Sequence, residues 1–115
     1  ADLSDAPSAM SGDLEQAESR FALIAHFYAR LAQAFPEDAT LFDDNIVFAQ
    51  SYYAVSERNH YYPNSGISSL GHAIPAAIGA RLTGSPGALF AVLGDGGFQM
   101  CAMELMTAVN YGAAL

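Results

Sequence analysis

The sequence predicts an α/β fold, a parallel sheet with helices on both faces, left incomplete within this chain. Three observations predict it. Helical and extended segments alternate along the chain. The apolar run Ala88-Leu89-Phe90-Ala91-Val92-Leu93 stops abruptly at Gly94-Asp95-Gly96-Gly97, one carboxylate among three glycines. A helix-like segment then follows, which places an acidic side chain and a nearly bare backbone at the carboxyl end of a buried strand. Open α/β sheets bind phosphates and cofactors at such strand ends.

Residues 1–12 are small and polar and read as a linker or frayed terminus. From Asp13 a helix is signalled, with Asp13 as cap and Gln16 three positions on, as in a capping box. Leu14, Ala17, Phe21, Ile24, Tyr28, Leu31 and Phe35 recur at spacings of three and four, one apolar stripe, and Pro36 stops it. Thr40-Leu41-Phe42 predicts a short buried strand ending at Asp43-Asp44-Asn45. Ile46 to Tyr53 is apolar and aromatic and predicts a helix. Glu57 to His60 is a polar turn, and Tyr61-Tyr62 a second short strand closed by Pro63-Asn64-Ser65-Gly66.

Ser68 to Leu82 predicts a helix with Pro75 in its first turn, where a missing N–H costs little. Ala73, Ala76, Ala77, Gly79 and Ala80 give it a smooth flank for packing on a sheet. Thr83 to Gly87 is a turn. Strand 88–93 and a helix within about 98–110 complete a β-α unit, with ends uncertain by about 2–4 residues. Asn110-Tyr111-Gly112 closes that helix, and Ala113-Ala114-Leu115 reads as the start of another strand. The expected organisation is a linker over 1–12 and one partial α/β domain over 13–115, cut before its last strands.

Composition narrows the function. The chain has 115 residues, 52% hydrophobic and only 14% charged, with a formal net charge of −8. That is too apolar for disorder, and the sparse charge predicts that part of the surface is covered by another domain or subunit. The four basic residues are all arginines, Arg20, Arg30, Arg58 and Arg81. Nucleic-acid binding is excluded on electrostatic grounds. An acidic chain still binds an anionic cofactor if backbone N–H groups and a divalent cation face the phosphates. Cys101 is the single cysteine, so no internal disulfide is possible, which fits a reducing, cytoplasmic setting. Its apolar helical surroundings predict a buried, inert thiol. No transmembrane-length apolar run or signal segment appears.

Four ordered segments carry a resemblance. They are Ser65-Gly66-Ile67-Ser68-Ser69-Leu70-Gly71, Ile74 to Ala80, Gly94-Asp95-Gly96-Gly97-Phe98-Gln99-Met100, and Glu104 to Ala108. Together they resemble the diphosphate-binding domain of thiamine-diphosphate enzymes of the acetolactate synthase and benzoylformate decarboxylase kind, over about residues 20–115. The resemblance implies thiamine diphosphate and Mg2+ as cofactors, with Asp95 as a metal ligand. Magnesium takes one or two carboxylates together with phosphate oxygens and water. It implies cofactor contacts from Asp44, Asn45, Ser68, Ser69, Leu70, Gly94, Gly96, Gly97 and Phe98. Leu70 matches the bulky apolar residue that props the cofactor in a bent shape, and the carbonyl near Ser68 would hold its amino group. The implied reaction is decarboxylation or carboligation of 2-keto acids, with the cofactor as electron sink.

The departures from the family pattern are specific. Gly97 stands where relatives often have serine or alanine, and Ile46, Val47 and Phe48 where they often have polar side chains. The asparagine pair that completes the metal motif would lie beyond Leu115, since Asn110 comes too early. The activating glutamate belongs to a pyrimidine-binding domain, usually of a partner subunit, and no segment here matches it. A homodimeric or homotetrameric parent is implied, with this chain inactive alone.

Two other functions fit the residues: a non-catalytic assembly or regulatory module with a degraded cofactor site, and another magnesium-dependent phosphate-handling protein that would need Asp44 as second acid. Plainer roles also stand beside each site residue. Asp95 serves as a helix cap, Asp43 and Asp44 as turn residues, Leu70 as core and Glu104 as a structural residue. His26 and His60 read as structural or solvated, and His72 as facing the core or a domain contact. Met100, Met103 and Met106 read as core by spacing, and Tyr52, Tyr53, Tyr61 and Tyr62 as interface residues.

Overall fold

A computed structural model of the chain describes residues 21–115; the expected linker, the Asp13 cap and the first part of the long helix lie outside them. Helix α1 covers 21–34 of the described residues and ends just before Pro36, whose ring and missing N–H end helices. Strand β1, Thr40–Asp43, follows, then helix α2, Val47–Tyr52, and strand β2, His60–Pro63. Helix α3, Ala73–Leu82, leads to strand β3, Leu89–Val92, and the chain finishes with α4, Asp95–Cys101, and α5, Glu104–Tyr111.

The strands form a parallel sheet in the order β2-β1-β3. Thr40 lies opposite both His60 and Leu89. Successive strand residues point to opposite faces, and the sheet uses both. On one face Leu41 packs with Tyr28, Ala49 and Tyr53, joined by Phe90, Val92 and Tyr61. On the other, Phe42 packs on Ala73 and Ala77 with Ala76, Ala80 and Ala91 around them. Ile74 and Ile78 continue that layer to Cys101, Ala108 and Ala113, with Ala91 and Leu93 beneath. Helices α1 and α2 therefore cover one face and α3 to α5 the other, the predicted α/β arrangement.

Five local expectations are corrected. Helix α3 begins at Ala73 rather than Ser68, because the preceding amides bond elsewhere, as described below. Gly79 of the expected alanine flank faces outward, with nothing within 4 Å of where a Cβ would be. The last helix starts at Asp95 and breaks at Ala102-Met103. There Leu105 N–H donates to the Ala102 carbonyl at 3.1 Å and Met106 N–H to that of Met103 at 3.1 Å. These i→i−3 bonds tighten the turn and leave Met100, Met103 and Met106 exposed at 67%, 80% and 57%. They are not core: small residues, Cys101 and Ala108, make the contact with Ile74 and Ile78. Ala113 to Leu115 form no strand. Gly112 takes φ 62° and caps α5, and Ala113 N–H returns to the Ala108 carbonyl at 2.8 Å, a left-handed helix ending that favours glycine.

The turn into β3 is held from two sides. The Arg81 guanidinium donates to the carbonyls of Ser85, Gly87 and Ala114 at 3.0, 2.8 and 3.0 Å. Gly87 has φ 74°, and a Cβ there would overlap the Asp38 carbonyl oxygen, so no other residue fits.

The tyrosines expected at an interface largely serve the core of this chain. Tyr53 is buried, and Tyr61 sends its hydroxyl inward to Asp43 at 2.9 Å, while Tyr62 stacks on Phe42. Burial pushes the Tyr28, Tyr53 and Tyr61 hydroxyls above their ordinary range, most of all Tyr61, whose neutral form also donates to Asp43. The unfolded chain releases these protons near pH ~10, while the folded chain holds them. Stability is thus full below that value and falls as pH rises through it toward the raised folded values. A tyrosinate absorbance titration should show three lagging hydroxyls, and the melting midpoint should drop above pH ~10.

Candidate functional site

The carboxyl ends of all three strands meet at one edge of the sheet, and three loops leave from there. The first begins with two adjacent aspartates, both wholly buried. Asp43 Oδ1 accepts from the Ile46 amide at 2.6 Å. Its Oδ2 accepts from Gln50 Nε2 and from the Tyr61 hydroxyl, both at 2.9 Å. Asp43 thereby starts α2 and ties it to β2. Asp44 points to the opposite face. Its Oδ1 accepts from the His72 and Ala73 amides at 2.6 and 3.1 Å, and its Oδ2 from the Gly71 amide at 2.9 Å. Ala73 opens α3 and Gly71 and His72 directly precede it, so these amides have no intrahelical acceptors, and their capture fixes where α3 begins.

Asn45 follows in the left-handed region at φ 63°, a conformation that asparagine tolerates better than most residues. Its Nδ2 donates to the Ser68 carbonyl at 3.5 Å, joining the first loop to the second. In that second loop the Asn64 side-chain amide donates to the Ser69 carbonyl. Leu70 is half exposed, and its Cδ1 lies 3.6 Å from where a Gly96 Cβ would stand. The third loop is the glycine turn. Gly94 caps α4 in an extended conformation, and Phe98 N–H donates to its carbonyl at 2.9 Å. Asp95 is the first residue of α4 and is exposed. Ile46 Cδ1 lies 3.7 Å from a Gly94 Cβ position. Phe98 is 47% exposed beside the turn.

The structure therefore brings the predicted residues of all three loops to one edge. Asn45, Ser68, Leu70, Gly94, Asp95, Gly96 and Phe98 line it. Asp44 and Gly97 lie beneath it, both buried. Among the described residues no three His, Cys, Asp or Glu side chains gather as a metal cluster, so Asp95 offers one carboxylate at an open edge. Among the described residues, a hollow of about 550 Å³ is lined by α5 and residues 112–115, and one of about 480 Å³ lies between α1 and Phe48, both away from this edge. His72 is exposed, directly before α3.

Cys101 is buried, and its thiol donates to the Gly97 carbonyl at 3.1 Å. Burial pushes its pKa up, which disfavours the thiolate. A neutral alkylating reagent should leave it unmodified in the folded protein and label it only in denaturant.

The bonds of Asp44 were not readable locally, because its partners lie 27 to 29 residues away. That of Asp43 had a signal: an aspartate three residues before an apolar helical run is a capping pattern.

With the glycine turn, its carboxylate and the two flanking loops at one sheet edge, the match to known proteins becomes decisive. Residues 44–115 match the family described as thiamine pyrophosphate enzyme, C-terminal TPP binding domain. The chain belongs to this family. The matched segment begins at Asp44, directly after β1, and takes in the three loops from there on. The chain is 38% identical over 66 residues to the acetolactate synthase large subunit of Haemophilus influenzae, covering 57% of this chain and 12% of that protein. It is 34% identical over 86 residues to a putative thiamine pyrophosphate-containing protein, YdaP, of Bacillus subtilis, covering 72% of this chain and 15% of the other. It is 40% identical over 53 residues to a 3D-(3,5/4)-trihydroxycyclohexane-1,2-dione hydrolase of Lacticaseibacillus casei, 46% of this chain and 8% of that one. The chain thus spans a small part of each relative. No solved structure matches it. Among the described residues no helix of this TPP-binding domain is long and apolar enough to cross a membrane.

Proposed function

We propose that this chain supplies the magnesium–diphosphate half of a thiamine-diphosphate site in a cytoplasmic enzyme acting on 2-keto acids, by decarboxylation or carboligation in the manner of acetolactate synthase. One observation carries the reading. Nothing in the fold demands glycine at positions 94 and 96. Gly94 has ordinary extended angles, and a Cβ at either position would make only ordinary contacts at 3.7 and 3.6 Å. Bare backbone beside an exposed carboxylate, with no internal cause, fits close approach by an external group.

The donor set fits the cofactor's chemistry. Asp95 would hold Mg2+, which prefers oxygen and fills its remaining positions with phosphate oxygens and water. The chain carries a net charge of −8, so a diphosphate needs such a cation beside it. The amides of Gly96 and Gly97, in the first turn of α4, would face the phosphates. Phe98 would flank them, and Asn45 would contribute the polar side chain of the first loop. Leu70 offers an apolar surface over the turn, Ser69 borders it, and the Ser68 carbonyl keeps acceptor capacity beyond its long bond to Asn45. When bound, thiamine diphosphate supplies an electron sink for the carbon skeleton of the substrate. The pyrimidine-binding domain and its glutamate would come from the remainder of the protein or a partner subunit, in a homodimer or homotetramer.

Two of the departures that favour a degraded, non-catalytic module have packing causes. Gly97 faces the Asp44 carboxylate too closely for a Cβ, and Ile46 is half buried in the α1/α2 core cluster, whereas Val47 and Phe48 are exposed and have no such cause. The test is calorimetry of the intact protein with thiamine diphosphate and Mg2+. Saturable heat that needs both is expected, followed by carbon dioxide release from a 2-keto acid; absence of any heat would refute the proposal.

A further inference from the structure

We infer that Asp44 is a positioning residue for the glycine turn that presents Asp95. The inference rests on the reading of Asp95 as the metal ligand, and its own support is geometric. Asp44 is wholly buried, beneath the edge and not on it. Its carboxylate holds three amides at the start of α3, and its Oδ2 faces Gly97 so closely that a Cβ there would overlap it and stand 3.1 Å from Cγ. Ordinarily the end of a flexible side chain would swing aside. Here it is fixed by three bonds and by full burial, so the turn and not the carboxylate must give way.

One buried anion thus serves two elements. It takes the place an external anion would occupy at the α3 N-terminus, and it sets the depth at which Gly97 enters α4. Asp95 stands two residues before Gly97, on the same turn of α4. The height of Asp95 above the sheet edge is therefore fixed from below by Asp44, through Gly97.

The test is a double-mutant cycle in the intact protein with Gly97→Ala, Asp44→Ser and their combination. Serine removes the oxygen facing Gly97 and keeps one hydroxyl acceptor. Two quantities are read well below each melting midpoint: the folded fraction, and the half-saturating Mg2+ for thiamine diphosphate uptake. Gly97→Ala alone should raise half-saturating Mg2+ about tenfold or more, the scale of losing a partner that orients a metal ligand. Asp44→Ser alone should raise it similarly while the protein stays folded. In the Asp44→Ser background, Gly97→Ala should add little to either the Mg2+ requirement or the loss in melting temperature. Fully additive effects, or an unchanged Mg2+ requirement in both single variants, would overturn the inference. Should the wild-type protein take up no cofactor, the metal-site reading falls, and the melting-temperature cycle still decides whether Asp44 and Gly97 are coupled.

Discussion

Replacing Asp95 with alanine is expected to remove magnesium-dependent uptake of thiamine diphosphate and to leave the domain folded. The side chain is exposed at the first position of α4, and it is not fixed by burial. Its structural role is that of a negative charge near a helix start, worth about 0.3–1 kcal/mol at most. Its proposed role as the magnesium ligand is larger. Among the described residues no cluster of acidic or histidine side chains could take over the ion. Loss of even an indirect metal partner costs about 10–100-fold in affinity, so loss of a direct ligand should exceed that. Asp95→Asn keeps shape but not charge and should fall between wild type and alanine. Calorimetry with thiamine diphosphate at several Mg2+ concentrations, beside a thermal melt, separates the two roles. An Asp95→Ala protein that binds normally would locate the ion elsewhere.

The adjacent aspartates should respond differently to amidation, although both are fully buried and both accept three hydrogen bonds. The partners of Asp43 include the Tyr61 hydroxyl and the Gln50 amide, and each of these can turn from donor to acceptor. An asparagine in place of Asp43 can therefore rebuild its bonds by reorientation. The partners of Asp44 are three backbone N–H groups, which only donate. An asparagine there sets its own NH2 against at least one of them. A buried donor left without an acceptor costs about 1–3 kcal/mol, so Asp44→Asn should be less stable than Asp43→Asn by about that amount. Out of a total of roughly 5–15 kcal/mol that is a visible share. Urea titrations of the two variants should show it as a difference in midpoint, and equal midpoints would contradict the bonding pattern.

The strand and helix order was legible because it depends on local patterning. Thr40 to Asp43, the Tyr61-Tyr62 pair, the Ile46 to Tyr53 run and Pro75 in the first turn of α3 all stand where periodicity and turn residues place them. The Gly94 to Phe98 turn was legible for the same reason. Tertiary exchange of partners was not. The start of α3 moved to Ala73 because a carboxylate from the end of β1 takes its first amides, and nothing near Ser68 in sequence announces that. Spacing placed the methionines of α4 and α5 inside, but the tightened turn at Ala102-Met103 rotates the helical face and leaves them outside. Gly97 read as a departure from a family pattern, and only the proximity of Asp44 Oδ2 shows it as a packing requirement.

The middle position of β1 has a consequence for synthesis. Of the three strands, the one made first ends up with a neighbour on either side, and those neighbours emerge at very different times. A nascent chain that has reached Leu82 can pair β1 with β2 and lay α3 across them, but the other border of β1 stays bare until Leu89 to Val92 leave the ribosome. Over that interval Leu41 and Phe42 belong to a sheet with an open side, the kind of template that invites association with other chains. A pause placed by slow codons between Leu82 and Leu89 should lower soluble yield more than an equal pause after Gly112.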